Sequence, residues 1–94
     1  MESRIVYNRV VELWVLHKQM FPENNPSTFI IHELTGQTYS GQEPKTAVEV
    51  MKVVGKIKGF PPLSEQERNL IVIEASRNIP RLSPNKRGIS VLFP

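Results

Sequence analysis

Residues 4–20 read RIVYNRVVELWVLHKQM, and they decide the fold because they predict a helix that is apolar around much of its circumference. At about 100° per residue, one broad face collects Val6, Val10, Leu13, Trp14, His17 and Phe21. A second apolar stripe consists of Ile5, Val11, Val15 and Leu16. Such a helix is expected at the centre of a bundle or beneath a partner. We therefore expect Trp14 to lie in the core of a helical protein.

A second helix is predicted over residues 26–34. Pro26 fits the first helical position, with Asn25 as the cap, and Gly36 follows the expected end. The apolar run at residues 28–34 also fits a short strand, and we favour the helix.

Two longer helices are predicted in the second half of the chain. Residues 45–58 place apolar side chains at helical rather than alternating spacing, which outweighs their β-branched content. Residues 64–78 begin with Ser64 and Glu67, the spacing of a capping box, in which each side chain bonds a free backbone N–H of the first turn. Pro80 ends this helix.

The predicted fold is thus mainly all-α: a small four-helix single domain spanning residues 1–94. Residues 79–94 form a loop or tail segment that contains a turn, a basic cluster and an apolar end compatible with a short C-terminal strand. A chain of 94 residues has room for one modest core.

Composition indicates a soluble, intracellular protein, which we place in the cytoplasm. The chain has no cysteine, which excludes disulfides and thiolate chemistry and is unusual for a small secreted protein. Its longest apolar runs are far shorter than the roughly 20 residues of a membrane span. The N-terminal residues lack the basic start and the cleavage site of a signal peptide. We expect no membrane partner.

The stretch TGQTYSGQEPKT, residues 35–46, invites comparison with a phosphate-binding loop. Gly36 and Gly41 have suitable spacing, but the lysine must follow the second glycine directly, and three residues intervene before Lys45. Glu43 would repel phosphate, and Pro44 lacks the N–H that a phosphate cradle uses. The sequence therefore predicts an ordinary connection here.

No residue pattern predicts catalysis or a bound cofactor. His17 and His32 are the only histidines, and neither has a carboxylate at metal-ligand spacing on a shared helical face. Ser40 lies in a loop-like stretch without the pattern of a nucleophile elbow. All nine acidic residues are glutamate, which removes the usual carboxylate of catalytic triads and of many Mg²⁺ sites. We expect a protein that is not an enzyme and that has no cofactor or metal.

Excess apolar surface supports the first functional hypothesis, a non-enzymatic interaction or regulatory protein such as an adaptor, assembly factor or small subunit. The partner is another protein or a second copy of this chain, and a homo-oligomer stays open. The contact residues would come from the first helix and the tail: Ile5, Val11, Val15, Leu16, Val91, Leu92 and Phe93. The alternative is that these residues complete the protein's own core.

Uneven charge supports the second hypothesis, a nucleic-acid-binding regulator. Residues 1–47 carry four basic and five acidic side chains, a net of −1, whereas residues 48–94 carry eight basic and four acidic, a net of +4. Basic side chains on one surface bind phosphates and release counterions. The residues concerned are Lys52, Lys56, Lys58, Arg77, Arg81, Lys86 and Arg87.

Overall fold

The computed structural model describes residues 2–79 and contains four helices within them. These are α1 (Glu2–Met20), α2 (Ser27–Thr35), α3 (Ala47–Lys58) and α4 (Glu65–Asn78). The prediction of a small four-helix protein is confirmed, and residues 28–34 belong to a helix rather than a strand. The expected C-terminal strand and most of the 79–94 tail lie outside the described residues.

Helix α1 is the centre of the fold, because α2, α3 and α4 all pack against it and α2 also packs against α3. Trp14 is buried, as expected. The other α1 residues in the core are Tyr7, Val10, Val11 and Val15. The neighbouring helices contribute Ile30, Ile31, Ala47, Val50, Met51, Val54, Ile71, Val72 and Ala75.

The predicted orientation of α1 is wrong in one respect. Val11 and Val15, assigned to a partner-binding stripe, are 0% and 2% exposed and belong to the core. The buried face is centred near Val11 and Trp14, roughly 80° around the helix from the expected face, and Phe21 is left half exposed. The error has a physical cause: when apolar residues surround a helix, their period alone does not select the side that neighbouring helices cover.

Helix α2 begins one residue later than predicted, although its start is held by Asn25, the side chain that the sequence predicted. Asn25 Oδ1 accepts the backbone N–H of Ser27 at 2.9 Å, and Asn25 Nδ2 donates to the Pro44 carbonyl at 2.8 Å. Pro26 occupies the cap position itself rather than the first helical turn. Asn25 therefore ties the α1–α2 connection to the segment that precedes α3.

A threonine cap begins α3 two residues later than predicted. Thr46 Oγ1 accepts the N–H of Glu49 at 3.2 Å, and the Glu49 carboxylate accepts the N–H of Lys45 at 2.7 Å. Because Thr46 and Glu49 have the same spacing as Ser64 and Glu67, this start was readable from the sequence.

The capping box predicted at the start of α4 is confirmed. Ser64 Oγ accepts the N–H of Glu67 at 3.1 Å, and the Glu67 carboxylate accepts the N–H of Ser64 at 3.4 Å. In the apolar run at 70–73, Ile71 and Val72 enter the core, whereas Leu70 and Ile73 are about half exposed.

Removing this cap should destabilise the protein. We expect Ser64→Ala to lower the free energy of unfolding by about 1 kcal/mol, because the Glu67 N–H loses its acceptor. Urea denaturation followed by circular dichroism measures the change, with Ser40→Ala in the exposed α2–α3 connection as the matched control. Equal midpoints for the two variants would contradict a stabilising role for the cap.

Candidate binding surfaces

The side of α1 that faces away from the core carries exposed apolar residues at both ends of an ion pair. Ile5 is 69% exposed and Leu16 is 39% exposed. Between them, Arg9 Nη1 lies 3.3 Å from Glu12 Oε1. We call these four residues, Ile5, Arg9, Glu12 and Leu16, the outer face of α1. Their spacing of four, three and four residues places them on one line along the helix.

A shallow depression of about 370 Å³ borders this outer face. It lies between α1 and the end of α2 and is partly apolar. Its lining residues are Ile5, Val6, Asn8, Arg9, Glu12 and Leu34. Its aliphatic lining residues are Ile5, Val6 and Leu34.

The partner-binding residues named from the sequence are brought together only in part. Ile5 and Leu16 lie on the outer face, while Val11 and Val15 are core residues. The remaining three, Val91, Leu92 and Phe93, lie outside the described residues. The prediction did not include Arg9 and Glu12. They become candidates for a contact only because they lie between two aliphatic residues that the fold leaves exposed.

A second surface lies where α3 ends and α4 begins. Gly59, in the left-handed conformation with φ 76°, allows the chain to turn sharply after α3. The N–H of Gly59 donates to the Lys56 carbonyl, and the N–H of Phe60 donates to the Gly55 carbonyl at 2.9 Å. This pair of bonds is the Schellman motif, and it sets the position of Phe60 over the end of the helix.

Phe60 and Tyr7 form the aromatic wall of a cleft of about 350 Å³. The ring centroids are 5.7 Å apart and the rings are nearly perpendicular, at 80°. Gly55 lets Tyr7 approach α3 closely, because a Cβ at this position would overlap the Tyr7 hydroxyl oxygen. Burial raises the pKa of the Tyr7 phenol above its ordinary value, because the charged phenolate would lose hydration there.

Three basic side chains border the same cleft: Lys52 and Lys56 from α3 and Arg68 from α4. Arg68 Nη1 donates to the Leu63 carbonyl, which holds the guanidinium at the edge of the cleft. Among residues 2–79, no glutamate lines the cleft, and the ion pairs are Arg4–Glu74 and Arg9–Glu12. The cleft therefore combines an aromatic wall with three cations that lack a salt-bridge partner in the described part of the chain. We call it the basic cleft.

The predicted nucleic-acid residues do not all meet at this cleft. Lys58 Nζ lies 5.9 Å from the centroid of the Phe60 ring, but Lys58 follows Lys56 by two residues, which places it on a different side of α3, and it does not line the cleft. Arg77 is exposed on α4 nine residues after Arg68, a spacing that places the two arginines on opposite sides of a helix. Arg81, Lys86 and Arg87 lie outside the described residues.

Sequence reasoning missed Tyr7, Phe60 and Arg68. One usable signal was Gly55, since a glycine inside a helix lowers helix stability and often marks the close approach of another side chain. A second was the Gly59–Phe60 pair, because an apolar residue after a helix-ending glycine commonly packs back against the helix. Arg68 carried no comparable signal, because its neighbours Glu65 and Glu67 give the first turn of α4 a negative charge.

The other sites considered from the sequence gain no support. Residues 36–46 form a connection, and the N–H groups of Lys45 and Glu49, near the start of α3, are bound to side chains of the protein. Over residues 2–79, no three histidine or glutamate side chains converge as metal ligands. In the same range, no helix has the length and apolarity that a membrane span requires.

Comparisons with protein-family models, with curated proteins and with solved structures gave no match for this chain.

Proposed function

We propose that this chain is a non-enzymatic interaction protein that associates through the outer face of α1, and that the partner on this face is a second copy of the chain. One observation carries the proposal: two exposed aliphatic residues bracket an arginine and a glutamate at coiled-coil spacing. Exposed apolar residues in such a line are typical of helix–helix contacts.

The spacing is self-complementary when two α1 helices run antiparallel. In such a pair, residues face each other when their numbers have a constant sum. Ile5 then faces Leu16 of the second copy, and Arg9 faces Glu12, since both pairs sum to 21. A two-fold axis repeats each contact, which makes the interface isologous. The depression beside Ile5 receives the second copy's leucine.

Charge selects this orientation over the parallel one. A parallel pair in register would place arginine against arginine and glutamate against glutamate, which is unfavourable. In the antiparallel pair, Arg9 of each copy faces Glu12 of the other, so that both of these central contacts join opposite charges. The intramolecular Arg9–Glu12 contact is between partly exposed side chains, so that exchanging it for an intermolecular one costs little.

The contact should be weak. The outer face spans eleven residue steps of helix, about 16 Å, with two aliphatic layers. A stable protein–protein interface buries about 1,600 Å² in total, and one short seam contributes only part of this. We therefore expect a reversible dimer whose population rises with protein concentration.

Charge exchange tests the proposal by sedimentation equilibrium. Arg9→Glu alone places carboxylates against carboxylates, and Glu12→Arg alone places guanidinium groups against one another, so that each variant should be monomeric. An equimolar mixture of the two variants should dimerise again, because every central layer then joins opposite charges. The double variant Arg9→Glu with Glu12→Arg should recover self-association.

Leu16→Lys should also abolish the dimer, whereas Leu70→Lys, at an exposed leucine of α4, should leave it intact. A wild-type chain that stays monomeric at millimolar concentration would overturn self-association. Dimers that persist in both single charge variants would place the contact elsewhere on the protein.

Nucleic-acid binding is the second candidate function, and the position of Lys52 and Lys56 at one cleft supports it. Contacts between these lysines and phosphate groups would make the affinity for nucleic acid strongly salt-dependent. The remaining support came from the basic residues of the tail, which lie outside the described residues.

A further inference from the structure

We infer that the basic cleft is a second, separate binding site, and that it binds a short acidic segment of a partner protein in which carboxylates adjoin an apolar side chain. The cleft is lined by α3, the α3–α4 connection, α4 and Tyr7 of α1, and it shares no lining residue with the outer face of α1, which looks away from the core. A dimer formed through α1 therefore leaves both copies of the cleft accessible. The inference is independent of the proposed self-association.

Charge complementarity identifies the acidic part of the ligand. Lys52, Lys56 and Arg68 border the cleft without a glutamate among its lining residues. A lysine ammonium donates three hydrogen bonds as a compact charge, and a guanidinium can hold a carboxylate with two. The neutral Tyr7 hydroxyl adds a donor at the same wall. A carboxylate entering here replaces water around cations that have no ion-pair partner within residues 2–79.

The apolar part of the ligand follows from the residues of the α3–α4 connection. Phe60, Pro61, Pro62 and Leu63 follow one another in the α3–α4 connection and all line the cleft. Prolines have little conformational freedom to lose on binding, and the Phe60 ring is already held against Tyr7. This wall suits one aliphatic or aromatic side chain next to the carboxylates.

The size and surroundings of the cleft favour a short acidic segment over a nucleic-acid strand. A volume of about 350 Å³ is at the small end of ligand pockets. An adjoining groove shares Lys52 with the cleft but is also lined by Glu43 and Glu49. The first turn of α4 carries Glu65 and Glu67. A phosphate backbone that extended beyond the cleft would meet these carboxylates, whereas a segment with two acidic residues would not.

Nuclear magnetic resonance titration of the ¹⁵N-labelled full chain tests the inference. The probe is acetyl-Leu-Glu-Glu-amide, and its neutral match is acetyl-Leu-Gln-Gln-amide. The acidic peptide should shift the amide signals of Gly55, Phe60 and Leu63 in a saturable manner. Lys52→Gln combined with Lys56→Gln should lower its affinity by about tenfold or more, because two charged donors are lost. Lys45→Gln combined with Arg77→Gln removes the same charge outside the cleft and should have little effect.

Three outcomes would overturn the inference. The first is a lack of saturable shifts at these residues with millimolar acidic peptide. The second is equal affinity for the neutral peptide, which would make the cleft a purely apolar groove. The third is tighter binding of a ten-nucleotide oligothymidylate at the same residues, which would assign the cleft to nucleic acid. All three measurements can be made on the Arg9→Glu variant, which should be monomeric. A failed prediction for peptide binding at the cleft is therefore distinguishable from a failed prediction of self-association.

Discussion

Val15→Lys should unfold most of the protein, whereas Leu16→Lys at the next position should leave the stability of the monomer nearly unchanged. Val15 is 2% exposed and packs in the core, so that the substitution removes a buried aliphatic side chain and places an ammonium group among apolar residues. We expect a loss of roughly 4 kcal/mol or more, a large part of the stability of a small domain. Leu16 is on the outer face, where a lysine remains hydrated and should change stability by no more than about 0.5 kcal/mol.

Urea denaturation at low protein concentration measures both effects, since dilution prevents the dimer from adding to the apparent stability of the wild type. Circular dichroism at the helix signal reports unfolding. Equal, large losses for the two variants would show that the outer face is itself covered within the monomer. That result would remove the basis for α1-mediated association, because a covered Leu16 cannot meet a second copy.

Gly55→Ala should destabilise the protein, although alanine is the better helix former. In an open helix this change would stabilise by about 1 kcal/mol. Here the new Cβ would overlap the Tyr7 hydroxyl oxygen, and Tyr7 is buried against Phe60 and cannot move away without disturbing the aromatic pair. Overpacking of this kind costs about 1–3 kcal/mol, which equals or exceeds the gain in helix propensity. The expected net change is a loss of up to about 2 kcal/mol.

A double-mutant cycle with Tyr7→Phe isolates the cause. Without the hydroxyl, the nearest ring atom to the new Cβ is Tyr7 Cζ, at 3.3 Å, which requires only a small adjustment. Gly55→Ala should therefore cost at least about 1 kcal/mol less in the Tyr7→Phe protein than in the wild type. Equal costs in the two proteins would show that the close approach of Tyr7 is not what requires glycine. Tyr7 also forms a wall of the basic cleft, so that these variants alter the lining of that cleft as well.

Much of the local structure was readable from short stretches of sequence. Ser64 and Glu67 predicted the start of α4, and Gly36 predicted the end of α2. Such signals act within one helical turn, because the groups that need partners are the first N–H and last carbonyl groups of the same helix. The predicted starts of α2 and α3 were one and two residues too early, because Pro26 takes the cap position of α2 and the apolar pattern alone does not mark Thr46 as the cap of α3.

The binding surfaces depended on the tertiary structure. Helix α1 is apolar on so many sides that its sequence admits several orientations, and packing against α2, α3 and α4 selected the face with Val11 and Val15. In this orientation of α1, Ile5 and Leu16 are exposed, and Arg9 and Glu12 lie between them. The basic cleft depends on the same packing, because Tyr7 of α1 is brought against Phe60 and Arg68 from the other end of the described chain. The sequence by itself determined which segments are helical, since backbone groups are satisfied within each helix. The tertiary structure decided which side chains face water, since that depends on how much apolar surface each neighbouring helix can cover.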